Sequence, residues 1–194
     1  MPEIMLHEEV GYYLSDKIKV SSYDYYLGLL APDSPNLNGF APKEERWLAH
    51  QRRKDYQEWR QALKDFYQKE KNNYPKDFIL GYMIHILTDI VYDEFIYLKV
   101  REEIEKTYTR EESHNIMRED MKKYYFKEIE EIKEVLQKEN DSYDILNIKK
   151  DTLINWKKKT IDLFANKNTS IYQTDTIIQE LNEKVYQELK EEWL

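Results

Sequence analysis

The segment of residues 78–98 is apolar on nearly every side of a helix, yet it contains His85, Asp89 and Asp93. A helix without a polar face is stable only when other elements cover it, so this segment predicts a buried central helix. Its length also suits a membrane span, but the ionisable side chains within it strongly disfavour insertion into lipid. We therefore expect a soluble helical protein that is built around this segment and has no membrane span.

The rest of the chain favours an all-α fold, because residues that form turns are scarce. The 194 residues include four glycines and five prolines, and a β-rich fold would need more frequent turns. Helical apolar spacing recurs in about seven segments, which predict a single-domain, all-α multi-helix bundle over residues 1–194. The predicted helices cover 4–19, 23–30, 43–72, 77–106, 109–139, 152–165 and 176–193, with a Pro-rich loop at 31–42 and a polar turn at 139–144.

Charge and cysteine content argue against several classes of function. The formal net charge of −8 disfavours nucleic acid as a partner. The basic residues Lys149, Lys150 and 157–159 are diluted by acidic neighbours and predict a solvated helix face. No cysteine occurs, which excludes thiol catalysis, disulfides and thiolate metal ligands. The first residues lack a basic region followed by an apolar run, so we expect no signal peptide and a cytoplasmic location.

The polar residues of the central helix need partners. His85 and Asp89 are four residues apart and share one helix face, with Gly81 one turn earlier and Asp93 one turn later. Burying an unpaired polar group costs roughly 2–7 kcal/mol, and burying an unpaired charge costs more. Two interpretations stay open: His85 and Asp89 form a hydrogen-bonded pair, or both bind a metal ion. Gly81 would let another backbone or a ligand approach closely.

The other histidines favour the metal interpretation. The chain has only four histidines, and two of them, His7 and His50, lie beside the expected core positions of their helices. Asp33 lies in the Pro-rich loop, from which a carboxylate can point inward. These residues would complete the ligand set of a histidine and carboxylate site.

Four stretches, in this order, resemble the zinc-dependent phospholipase C family, and more closely its small intracellular, hydrolase-like relatives. They are MPEIMLH at the start, YYLGLLAPDSP at residues 25–35, the histidine at position 50 and FILGYMIHILTD at residues 78–89. The resemblance covers about the first 120 residues. It implies an all-α domain in which histidines and aspartates bind zinc ions between helices, with one aspartate bridging two ions.

Carried onto this chain, the resemblance implies a metal site made mainly by residues 1–120. The implied ligands are His7, Asp33, His50, His85 and Asp89. Asp33 would also be the catalytic residue, as the general base for the attacking water. Asp93 stands where relatives have a further histidine, and Asp120 matches the carboxylate of a later family helix, so Asp93 or Asp120 is expected to replace missing nitrogen ligands. We expect two zinc ions, and the added oxygen ligands would also suit manganese or iron.

The expected function is a metal-dependent hydrolase that cleaves a phosphodiester or phosphomonoester through a metal-activated water. Its partner would be a small phosphorylated substrate, and the oligomeric state does not follow from the sequence. The alternative is a non-catalytic helical interaction module, or a degenerate relative with a structural metal or none, which predicts a closed ligand set without a pocket. An HD-type phosphohydrolase needs an adjacent His-Asp pair, and none occurs. A ferritin-like di-iron bundle needs two Glu-x-x-His pairs, and only Glu111 to His114 matches.

Overall fold

The computed structural model describes residues 3–164 and 170–193, and this part of the chain is an all-α bundle, as the sequence predicts. The α-helices are α1 (Ile4–Ile18), α2 (Tyr23–Leu30), α3 (Lys43–Ala49), α4 (Tyr56–Glu70), α5 (Lys76–Val91), α6 (Tyr97–Glu105), α7 (Arg110–Met121), α8 (Ile129–Gln137), α9 (Lys150–Leu163) and α10 (Asp175–Glu192). A 3₁₀ helix (Ala31–Asn38) follows α2, and a π-helical turn (Tyr92–Ile96) joins α5 to α6. Residues 1, 2, 165–169 and 194 of the expected domain lie outside the described part, including the last residue of the predicted helix 152–165.

Helix α5 is the buried central helix that the sequence predicts. All of residues 81–91 are buried, and α5 packs against α1, α2, α4 and α10. Among the described helices, none has the length and apolar character needed to cross a membrane. The apolar surface of α5 is therefore covered by other helices of the same chain.

Helices α2 and α5 cross with their backbones in contact at Gly28 and Gly81. A Cβ atom added at Gly81 would overlap the carbonyl oxygen of Tyr25, and one added at Gly28 would overlap the carbonyl oxygen of Phe78. Only glycine permits so close an approach of two helices. The backbone expected to approach Gly81 is thus that of α2, and the crossing brings α2 carbonyl groups within reach of α5 side chains.

The helix count is close to the expected seven, but two long predicted helices are interrupted. The predicted helix 43–72 breaks after α3, where Gln51 adopts a positive φ of 50°. The predicted helix 109–139 breaks after α7 and resumes as α8. Neither break contains glycine or proline, so the sequence lacked the usual signal for a helix end. The Pro-rich segment also differs from expectation, because most of it forms the 3₁₀ helix, with a proline in its first turn where a fixed φ is favourable.

Lys157 departs from the solvated basic face that the sequence predicts. Its side chain is 2% exposed, and its Nζ donates hydrogen bonds to the carbonyl oxygens of Leu136 and Glu139, at the end of α8. The last carbonyls of a helix have no partner within the helix, and a cation suits this negative end. Lys158 and Lys159 remain exposed as expected. One lysine of the basic run is therefore a structural cap for α8.

Candidate metal centre

Five of the predicted ligands meet in the interior of the bundle. His7 comes from α1, Asp33 from the 3₁₀ helix, His50 from the turn after α3, and His85 and Asp89 from α5. Their ligand atoms form two groups within which all atoms lie within 4.8 Å of one another. One group contains His7, Asp33 and His85, and the other contains His50, His85 and Asp89. We call these five side chains the ligand cluster.

Each aspartate of the ligand cluster directs its two oxygens toward different histidines. Asp89 Oδ1 lies 3.6 Å from His7 Nε2, whereas Asp89 Oδ2 lies 3.6 Å from His50 Nε2. Asp33 Oδ1 lies 3.4 Å from His50 Nε2, and Asp33 Oδ2 lies 3.9 Å from His85 Nε2. These distances exceed the roughly 2.7–3.2 Å of ordinary N–H···O hydrogen bonds. They are close to the roughly 3.3–3.6 Å that separates two ligand atoms on one tetrahedral zinc ion.

Backbone carbonyl groups fix the orientation of two histidine rings. His50 Nδ1 lies 2.8 Å from the carbonyl oxygen of Arg46, and His85 Nδ1 lies 2.6 Å from that of Leu29. A carbonyl oxygen only accepts, so both Nδ1 atoms carry hydrogen, and the Nε2 lone pairs of the neutral rings face the ligand cluster. Metal-binding histidines are commonly oriented by such second hydrogen bonds. The close crossing of α2 and α5 makes the Leu29 contact possible.

The turn that carries His50 is held in place from two sides. Trp59 Nε1 donates a 2.8 Å hydrogen bond to the carbonyl oxygen of His50, and Tyr82 OH donates one of 2.6 Å to that of Ala49. The His7 ring stacks on the His85 ring, with centroids 3.7 Å apart and planes 6° from parallel. The rings are thus fixed by α1, α4 and α5 together, which gives a preformed site.

Burial and neighbouring charges move the protonation equilibria of the ligand cluster in different directions. Burial raises the pKa of Asp89 to about 7. Burial, assisted by nearby His7, lowers the pKa of His85 well below its usual value. For His50, the nearby carboxylates of Asp33 and Asp89 outweigh burial and raise the pKa, and the neighbouring His50 and His85 lower the pKa of Asp33 against the effect of burial. In the absence of metal, protons bound to His50 and Asp89 would therefore offset part of the negative charge of the two aspartates in the ligand cluster.

The structure gives Asp93 and Asp120 other partners. Asp93 accepts a 2.7 Å hydrogen bond from Arg52 in an ion pair. Asp120 accepts hydrogen bonds from the backbone N–H groups of Ile171, at 2.7 Å, and Tyr172, at 3.0 Å. Among the described residues, neither aspartate belongs to the two groups of potential ligands. Their predicted role as additional ligands gains no support from this arrangement.

A cleft with a volume of about 370 Å³ lies beside the ligand cluster, and Asp33 forms part of its wall. The Asp33 side chain is 15% exposed, whereas those of the other four cluster residues are at most 1% exposed. Asp33 therefore connects the buried ligands to a space that a small molecule can enter.

The cleft combines cationic and apolar side chains that the sequence analysis did not single out. Arg46, Arg118 and Lys122 supply positive charge, and Phe40 and Trp156 are among the apolar residues. The one sequence signal for this wall is the spacing of positions 114, 118 and 122, which are four residues apart and fall on one face of a helix.

Glu3 is a further cleft residue that the sequence analysis missed, and it precedes the first turn of α1. Burial raises the pKa of Glu3, and the charge of Asp33 adds to the rise, whereas Lys122 and Arg118 oppose it. The charges of Asp33, Lys122 and Arg118 therefore all act on Glu3 in the cleft. An acid with a raised pKa beside a carboxylate with a lowered pKa is a common arrangement in hydrolytic sites.

Comparisons with protein-family models, with curated proteins and with solved structures give no match to this chain. The likeness to the phospholipase C family remains a prediction from sequence motifs. The function is therefore argued from the geometry of the ligand cluster and the cleft.

Proposed function

We propose that this protein is a metal-dependent hydrolase of phosphate esters. The observation that carries the proposal is the position of Asp33, which belongs both to the ligand cluster and to the wall of an open cleft. A site for hydrolysis needs such a junction, because the metal must be held by buried ligands while the substrate enters from solvent. A purely structural metal site is normally closed by its protein ligands.

The ligand cluster suits two divalent cations. Three imidazole rings and two carboxylates favour zinc, and the carboxylate share also accommodates manganese or iron. His85 belongs to both groups, but its Nδ1 is used by the Leu29 carbonyl, so its Nε2 would bind one ion only. The two oxygens of Asp89 face different histidines, so Asp89 is the residue that could serve both ions. Bound cations would supply Lewis acidity and lower the pKa of a water molecule.

The residues around the cleft have complementary roles in the proposed reaction. A water oxygen forms a bond to phosphorus while the bond from phosphorus to the leaving oxygen breaks. Asp33, whose lowered pKa keeps it ionised, accepts the proton of the attacking water. Glu3, a cleft residue whose pKa is raised by burial, is the group assigned to donate a proton to the leaving oxygen. Arg118 and Lys122 orient the phosphoryl group through its anionic oxygens.

A non-catalytic helical module, with a structural metal or none, is the alternative. It predicts a closed ligand set and no pocket beside it. The exposure of Asp33 in the cleft wall favours the hydrolase over this alternative.

Metal content is the first test of the proposal. Elemental analysis of protein purified without a metal-affinity tag should give about two equivalents of zinc, manganese or iron per chain if the proposed two-metal site forms. The double variant His85→Ala, Asp89→Ala should lose this metal, whereas His114→Ala, which changes a histidine outside the ligand cluster, should retain it. Absence of bound metal even after supplementation would overturn the proposal.

Activity is the second test, and a substitution at Asp33 distinguishes loss of metal binding from loss of catalysis. Metal-loaded protein should release phosphate from simple phosphate esters, and Asp33→Asn should lower kcat by roughly 100-fold or more, the usual size of a general-base effect. The amide keeps one oxygen for the metal but cannot accept the proton. Metal-loaded wild-type protein without activity on any phosphate ester would favour the structural-metal alternative.

A further inference from the structure

We propose that the substrate is a phosphate monoester with a single compact apolar group, and that α7 recognises it. This inference rests on the proposed hydrolase function and specifies the ligand of the same site. It is carried by the two kinds of side chain that α7 presents to the cleft, by apolar residues elsewhere in the cleft wall and by the size of the cleft.

The face of α7 that lines the cleft carries a basic row and an apolar row. His114, Arg118 and Lys122, the residue after the helix, follow one another at spacings of four, and Met117 and Met121 lie beside them. In a chain with a net charge of −8, a row of basic groups beside the ligand cluster attracts an anion to this place.

The two charged residues of this row remain available to a ligand. Both pair with Glu119, at 3.7 Å for Arg118 and 2.8 Å for Lys122. The paired side chains are between 44% and 56% exposed, and ion pairs of such exposure contribute little. A phosphoryl dianion near a metal site can therefore replace Glu119 as their partner, and two cations suit the two charges of a monoester.

Three further residues of the cleft wall are apolar and incompletely covered or incompletely paired. Phe40 is 78% exposed and Leu163 is 42% exposed, although both line the cleft. Trp156 also lines it, and its buried Nε1 has no hydrogen-bond acceptor among the described residues. Buried indole N–H groups usually find a partner. An apolar ligand group that carries an oxygen at one end would cover these rings and offer an acceptor.

The size of the cleft favours a small ligand. Its volume of about 370 Å³ lies at the lower end of the roughly 300–1,000 Å³ that is usual for small-molecule sites. One phosphoryl group with an aryl group or a short alkyl chain suits such a space.

Three esters with similar alcohol leaving groups test this substrate class, with phosphate release measured for the two monoesters and benzyl alcohol release measured for the diester. We expect kcat/KM for benzyl phosphate to exceed that for 2-hydroxyethyl phosphate by at least tenfold, because only the benzyl group covers the apolar wall. Dibenzyl phosphate, with one charge and two benzyl groups, should react at least tenfold less efficiently than benzyl phosphate. Equal values for the benzyl and hydroxyethyl monoesters would overturn the inference and leave the hydrolase proposal intact.

Binding of non-hydrolysable analogues gives a readout that does not depend on turnover. Calorimetric titration of the metal-loaded protein should show benzylphosphonate binding at least tenfold more tightly than 2-hydroxyethylphosphonate. Phe40→Ser should remove most of this preference. Lys122→Gln should weaken both phosphonates about fivefold, whereas Lys123→Gln, which changes the adjacent exposed lysine outside the cleft, should change neither.

The two proposals fail in different ways. A preference for benzylphosphonate without hydrolysis of any ester would refute the hydrolase and support the ligand class. Hydrolysis without any preference between the two phosphonates would refute the ligand class and support the hydrolase.

Discussion

The Nε2 atoms of His50 and His85 lie 3.3 Å apart, while the Nδ1 atom of each ring donates to a backbone carbonyl. Two nitrogen lone pairs at this distance repel each other unless a positive charge lies between them. The charge can be a proton or a metal ion, so the two compete for the same place. This competition makes the ligand cluster sensitive to pH.

Metal affinity should rise with pH. Burial raises the pKa of Asp89 to about 7, and the two carboxylates raise that of His50, so both groups bind protons in the metal-free protein at pH 6. Metal binding must release these protons. The dissociation constant for zinc, measured by competition with a chromogenic chelator, should fall roughly tenfold per pH unit for each proton displaced between pH 6 and 7. His114→Gln should give the same profile, and a constant affinity over this range would contradict the prediction.

Asp89→Asn should stabilise the metal-free protein at pH 8. The pKa of Asp89 is about 7 in the folded chain and about 3.9 in the unfolded chain, so the metal-free protein loses stability as pH rises between these values. Asparagine removes this loss, and the free energy of unfolding in urea should increase by about 2–4 kcal/mol at pH 8. The gain should vanish near pH 4, where the wild-type carboxyl is already neutral.

Excess zinc provides the complementary measurement for Asp89. With zinc present, wild-type protein should be the more stable one at pH 8, because only its ligand set is complete. Asp162→Asn, at an exposed position of α9, should show neither the gain nor the reversal. A loss of stability in metal-free Asp89→Asn at pH 8 would argue against a buried, ionised carboxylate.

Asp120→Asn should reduce stability without removing metal. Asp120 accepts backbone hydrogen bonds from Ile171 and Tyr172, and the amide can replace only some of them. We expect the free energy of unfolding to fall by about 1–3 kcal/mol, with the metal content per chain unchanged. Loss of metal from this variant would instead support the ligand role that the sequence suggested. Glu119→Gln, one position earlier and exposed, is the matched control.

Gly81→Ala should destabilise the bundle and weaken metal binding together. The added methyl group would overlap the Tyr25 carbonyl and push α2 away from α5, at a cost of about 1–3 kcal/mol or more. The same shift would move the Leu29 carbonyl from His85 Nδ1 and leave that ring less firmly oriented. Urea unfolding and zinc titration should both detect the change, whereas Gln61→Ala on the exposed face of α4 should alter stability by less than about 0.5 kcal/mol. Unchanged zinc affinity in Gly81→Ala would show that the close crossing of α2 and α5 is not needed for metal binding.

The sequence predicted those helices and helix ends whose signal lies within a short stretch of neighbouring residues. The apolar period identified α5, and Thr109 with Glu112 identified the start of α7, where the structure contains the complete capping box. The break at His50 had no such signal, because the chain turns there without glycine or proline. The turn depends instead on hydrogen bonds from Trp59 and Tyr82, which are distant in sequence.

The ligand cluster was more predictable than the cleft. Histidine is rare in this chain, so each one was a candidate, and the pair His85 and Asp89 shares a face by helical geometry alone. Arginine, lysine and apolar residues are common, and their side chains face the cleft only because of how α1, α7 and α9 pack. Glu3 illustrates this limit, since nothing in its local sequence distinguishes it from the other acidic residues.

Helix α7 packs mainly against α6 and contributes no member of the ligand cluster. The α7 part of the cleft wall, which we propose contacts the ligand, is therefore separate from the elements that carry the ligand cluster. Under the proposals above, substitutions on the cleft-lining face of α7 would change which small molecule is accepted without moving any of the five cluster residues. Such independence offers an evolutionary route to new specificity, in which the chemistry is inherited and only one short helix diverges.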